Sequence, residues 1–142
     1  MKRLFLLLFC VISLSASKHE FMHFMGNYSN CDKWMIEDST FLYQFMIISA
    51  EAGGIANLHK YIQVNQIDDS HTMITAIFSS GSLTVHTFKD ERMCFVDLFT
   101  THNKCNYTQF SKNIKWFLNP KRHYEVVFDR AGLGLNCFSI VG

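Results

Sequence analysis

The chain has 142 residues, of which 49% are apolar and 14 are phenylalanine, enough for one sizeable hydrophobic core and short for two ordinary domains. Its formal net charge is +1 with acidic and basic residues interspersed, so it lacks the electrostatic footprint of a nucleic-acid or anionic-membrane binder. The same apolar content excludes a disordered chain.

The amino terminus carries Lys2 and Arg3, an apolar run over 4–12, and the small residues Ser13, Ser15, Ala16 and Ser17 before Lys18. This is the order of a secretory signal, and the run is short for a bilayer span. Phe9 before Cys10 does not fit a lipoprotein cleavage site. We therefore expect 1–17 to be a signal peptide and 18–142 a single domain, secreted or periplasmic; if the signal is not used, the protein is cytoplasmic and the segment a buried terminal element.

Residues 20–25 read as a first strand. Over 41–52 the apolar residues Phe41, Phe45 and Ile48 recur at helical spacing, with Asp38 or Ser39 as N-cap and Gly53-Gly54 past the end. That helix is apolar around so much of its circumference that a broad face must be covered. Strands are expected at 58–64, 73–78, 83–88 and 94–100, separated by the polar turns Gln66-Ile67-Asp68-Asp69-Ser70 and Lys89-Asp90-Glu91-Arg92. Connections this short favour antiparallel neighbours. A second amphipathic helix over 107–118 aligns Phe110, Ile114 and Phe117 and is stopped by Asn119-Pro120. Val126-Val127-Phe128 centres a last strand at 123–129. The tail 131–142 contains Gly132-Leu133-Gly134-Leu135 without the strand and helix that a dinucleotide fingerprint needs, and reads as coil or a short edge strand. The order predicts an α+β fold: a two-layer sandwich, an antiparallel sheet with two helices packed on one face.

Cleavage of the signal would remove Cys10 and leave Cys31, Cys94, Cys105 and Cys137, which allow two disulfides in an exported chain or remain free thiols. No zinc spacing is present; His19 and His23 are four apart in an expected strand, where that spacing separates them, and the other histidines are scattered. No metal is expected, and neither a nucleophile elbow nor a phosphate loop occurs. Asn27-Tyr28-Ser29 and Asn106-Tyr107-Thr108 have the form of glycosylation acceptors.

The run Leu83-Thr84-Val85-His86-Thr87-Phe88, followed by Val96-Asp97-Leu98-Phe99-Thr100, resembles the catalytic hairpin of the small bacterial-type S-adenosylmethionine decarboxylases. The element order is also similar, from about residue 19 to about residue 131. In that family a Glu-Ser-His triplet precedes the first strand of the hairpin, and its serine becomes a pyruvoyl group that condenses with the substrate amine. Here the matching positions read Ser80, Gly81 and Ser82. The family's glycine-rich, proline-containing loop before this strand is replaced by residues 66–71.

The resemblance implies several roles. His86 matches the histidine that assists processing; read alone, it is a histidine hydrogen-bonded at the core. Thr101 falls at the family's proton-donating cysteine and is a poor acid. Ser82 is a cryptic processing candidate, but one step along a strand turns its side chain to the other face, so the role requires a bulge at Gly81. Asp97 matches a strand aspartate whose carboxylate needs a partner or exposure. Phe78, Phe88, Phe95 and Phe99 are candidate faces for an adenine or a sulfonium, or ordinary core. The expectation is a non-processing relative without pyruvoyl that retains binding of S-adenosylmethionine or a related nucleoside, homodimeric through its apolar helix; a pyruvoyl cofactor is expected only with self-processing at Ser82. The alternatives are an active decarboxylase of polyamine biosynthesis, another lyase cleaving S-adenosylmethionine, or a secreted disulfide-stapled interaction module.

Overall fold

The computed structural model describes residues 22–55, 62–101, 105–129 and 136–141. The signal segment, residues 58–61 of the expected second strand and the Gly132 to Leu135 run lie outside them. In chain order the elements are β1 (Met22–Ser29), α1 (Lys33–Glu37), α2 (Ser39–Ala52), β2 (Ile62–Gln66), β3 (His71–Phe78), β4 (Gly81–Phe88), β5 (Met93–Thr100), α3 (Tyr107–Leu118), β6 (Arg122–Asp129) and β7 (Asn136–Val141).

The strands form one sheet in the order β2-β3-β4-β5-β1-β6-β7, and every neighbouring pair is antiparallel. Hairpins account for the run from β2 to β5. Asp68 closes the first by accepting from the backbone N–H groups of Ser70 and His71, and Ser79-Ser80 make the two-residue turn of the second. β1 instead inserts between β5 and β6, pairing with segments about 70 and 100 residues away in sequence.

Burial alternates along β3, β4 and β5 as the pleat requires. One face carries Phe24, Tyr28, Ile74, Leu83, Val85, Cys94, Val96 and Leu98, all buried in one core with Leu42, Phe45 and Met46 of α2 and Phe110 and Ile114 of α3. Phe24 meets Phe110 edge to face at 5.1 Å. Asp38 caps α2 through the N–H groups of Thr40 and Phe41, and α3 ends on Asn119 in the left-handed region (φ 42°) directly before Pro120. The two-layer α+β sandwich is as expected, with one addition, the short α1; of the two readings of the tail, the edge strand holds, as β7.

Most of the apolar surface of α2 is buried inside the fold, with Phe41 partly covered and Ile48 exposed. Leu42, Phe45, Met46, Ile47 and Ala50 are buried, and Phe41 and Phe45 each pack a ring on Phe117 of α3 at 5.6 and 5.7 Å. The helix therefore spends most of the apolar area expected for a dimer face on the core.

Candidate functional site on the open sheet face

Among the described residues, no helix covers the other face of the sheet. Strand register arranges its side chains in rows: Ser82 beside Phe99 beside His23, Thr84 beside Asp97 beside Met25, Met73 beside His86 beside Phe95, and His71 beside Phe88 beside Met93. Read diagonally, the rows place four titratable groups on four adjacent strands: His71 on β3, His86 on β4, Asp97 on β5 and His23 on β1. His71 Nε2 lies 3.0 Å from His86 Nδ1, and His23 Nε2 lies 2.9 Å from both carboxylate oxygens of Asp97. Aromatic rings flank this polar diagonal. Phe88 stacks on His71 at 4.4 Å and meets Phe95 edge to face at 5.6 Å, while Phe99 and Phe128 approach the His23 ring at 6.2 and 6.3 Å.

Burial holds the pKa of His86 below the ordinary histidine value of 6.5, the neighbouring His71 pushes it the same way, and Asp97 opposes both. The imidazole is therefore poised in its neutral form, as a base or a ligand rather than a cation.

The backbone at the start of β4 decides what this hairpin can do. Gly81 has φ +157°, and a Cβ built there would stand 1.9 Å from the carbonyl oxygen of Phe99 and 2.8 Å from its carbon. Only hydrogen fits. The missing serine is thus accompanied by a close approach of β5 that leaves a serine no space. The register runs unbroken through this point, Gly81 opposite Thr100 and Ser82 opposite Phe99, so the bulge that Ser82 would need is not present. Ser82 remains on the open face, in line with Thr84 and His86.

Thr101 holds the carbonyl of the Ser80–Gly81 peptide with both its backbone N–H (2.7 Å) and its hydroxyl (3.2 Å). By the resemblance this is the peptide that relatives cleave. Its carbonyl is clamped, yet the residue after it, Gly81, has no hydroxyl to take up the acyl group. Burial pushes the thiols of Cys31 and Cys105 up to about 11 and that of Cys94 well above its usual value, which leaves these three protons tightly held.

The remaining sequence candidates divide between the two faces. Phe88, Phe95, Phe99 and Asp97 share the open face with His86. Phe78 does not, because it is buried in the helix-covered core. Cys31, Cys94 and Cys105 are free thiols and form none of the disulfides that their number allowed; Cys137 lies on β7. Sequence reasoning missed His23 and His71, which are joined to their partners by strand register and not by spacing. Their only sequence signal was an alternation that put each on the less buried side of its strand.

These features define a class: α+β two-layer sandwiches whose uncovered sheet face carries a histidine-bearing central hairpin. The chain matches the family described as S-adenosylmethionine decarboxylase over residues 22–131, and it belongs to that family. It is similar to the crystal structure of the adenosylmethionine decarboxylase from Aquifex aeolicus VF5, with 16% identity over 83% of this chain and 96% of that one and a TM-score of 0.67. At this identity the likeness is one of fold. No curated protein matches the chain. The family is pyruvoyl-dependent in general, but the residues here do not suit formation of that group at the usual position, where both the hydroxyl and the space for it are missing.

Proposed function

We propose that this protein is a non-processing member of the family that keeps the open sheet face as a binding surface for S-adenosylmethionine or a related nucleoside. The observation that carries the first half is Gly81, whose side-chain space is filled by the backbone of β5. The second half is supported by Phe88, Phe95 and Phe99, which offer π faces to an adenine or a sulfonium, and by Asp97, whose half-exposed carboxylate can receive an amine. Two copies joined through the open faces, with the ligand held between them, and export by the amino-terminal segment with cleavage near residue 17 belong to the same proposal.

The test combines intact mass with calorimetry against S-adenosylmethionine. One unbroken polypeptide that releases binding heat, with affinity reduced in Phe95→Ala, supports the reading. Two fragments divided before Ser82 would instead establish a self-processed decarboxylase. Absence of both heat and a ligand-induced rise in Tm would remove nucleoside binding.

A further inference from the structure

A second feature of the open face points to different chemistry. His71 and His86 turn ring nitrogens toward each other at 3.0 Å, and Met73 lies directly opposite His86 on β3, two residues from His71 and on the same face. Directly opposed side chains on paired strands have Cβ atoms only about 5 Å apart, so the thioether can reach the space beside the imidazole pair. We propose that His71, His86 and Met73 form a site for a soft monovalent cation of the copper(I) class.

Several observations support it. Two nitrogens bound at about 2.0 Å and separated by 3.0 Å subtend roughly 100° at a metal, and widening their gap to about 3.5 Å gives a trigonal angle, a change that small side-chain rotations supply. The Phe88 ring stacked on His71 fixes one ligand in orientation, as neighbouring groups do at metal sites. His86 senses the Asp97 carboxylate, which offsets part of an added positive charge. Among the described residues no group of three or more His, Cys, Asp or Glu is arranged for a metal, which disfavours zinc and other ions that want harder or more numerous ligands. Two imidazoles and a thioether match the softer preference of copper(I).

Proton balance is simple. In the hydrogen-bonded pair one facing nitrogen carries the shared proton. On binding, that imidazole shifts its proton to its other ring nitrogen, and both facing lone pairs turn to the ion with no net proton released.

The test is an anaerobic titration of the full chain with copper(I) against a chromogenic copper(I) chelator, with silver(I) as a redox-inert second probe. One ion per chain is expected, with at least about a tenfold loss of affinity in His71→Phe, which keeps an aromatic ring beside Phe88, and a smaller loss in the near-isosteric Met73→Leu. Imidazole nitrogen shifts in NMR should move for His71 and His86 together. Affinity unchanged in both variants would mean that the ion sits on thiols, and the proposal fails; failure to compete with the chelator overturns it as well. Thermal unfolding of the metal-free variants serves as the check that both fold. Calorimetry with S-adenosylmethionine is run on the metal-free wild type, so nucleoside binding and metal binding can fail separately.

Discussion

At the scale of single residues, Gly81 and His86 carry the argument. If this chain differed from its relatives here only by a lost hydroxyl, Gly81→Ser would restore processing. The carbonyl of Phe99 already occupies the Cβ position, so the substitution must move β5 or strain β4. We expect Gly81→Ser to lower stability by about 1–3 kcal/mol, read from denaturant midpoints, and to leave the chain uncut in intact mass. A stable variant that cleaves itself would show that the backbone adapts and that the hydroxyl alone was missing. For His86, the folded pKa lies below the unfolded value of 6.5, so the unfolded chain binds the extra proton first. The associated stability is present above pH 6.5 and is lost as pH falls from there through the folded pKa. In His71→Phe the second cause of depression disappears while burial remains, so the NMR titration of His86 should shift upward without reaching 6.5. No shift would mean that the two rings do not couple.

At the scale of elements, the longer segments were legible because their chemistry is local. Helix α3 was readable to the residue from Phe110, Ile114, Phe117 and the Asn119-Pro120 stop, and the cores of β3, β4 and β5 from alternation. The placement of β1 in the middle of the sheet was not legible, since its partners are distant in sequence. The site shares that limit: His86 and Asp97 could be named from the hairpin, while His23 and His71 join them only through pairing register. Equally hidden was what fastens α3 to the sheet. Glu125 of β6 is fully buried, accepts from the Tyr28 hydroxyl and the Ser111 hydroxyl at 2.7 Å each, and lies 3.5 Å from Lys115 Nζ. Gly26 makes room for the Tyr28 ring, which any side chain there would overlap. Removing the hub leaves two buried hydroxyls and an amine without their acceptor, so Glu125→Ala should cost about 3–5 kcal/mol and Tyr28→Phe about 1 kcal/mol, measured by chemical denaturation. Equal costs for the two would show that the carboxylate is not the centre of the network.

At the scale of the whole molecule, the described residues cover the sheet with helices on one side only. The helix layer is packed, whereas the opposite face presents Phe88, Phe95, Phe99, Met73 and Met93 half-buried, with no layer above them among the described residues. Sheets stack face to face at about 10 Å, so a second copy laid on this face would cover those side chains in both protomers at once by an isologous contact. We expect light scattering at micromolar concentration to give twice the chain mass. Phe95→Glu places a carboxylate in the middle of the face, outside the helix-covered core, and should yield a folded monomer. Trp116→Glu alters the exposed outer side of α3, where Trp116 is 74% accessible, and should leave the dimer intact. The reverse pattern would assign association to the helix layer. Acid should act in the same direction as Phe95→Glu, because protonating His86 places like charges on both apposed faces, where they are poorly screened. Dissociation on acidification to below the ordinary histidine value of 6.5, reduced in His86→Gln, ties the interface to this histidine, whose folded pKa lies under that value. A dimer that ignores both pH and Phe95→Glu does not use the open face.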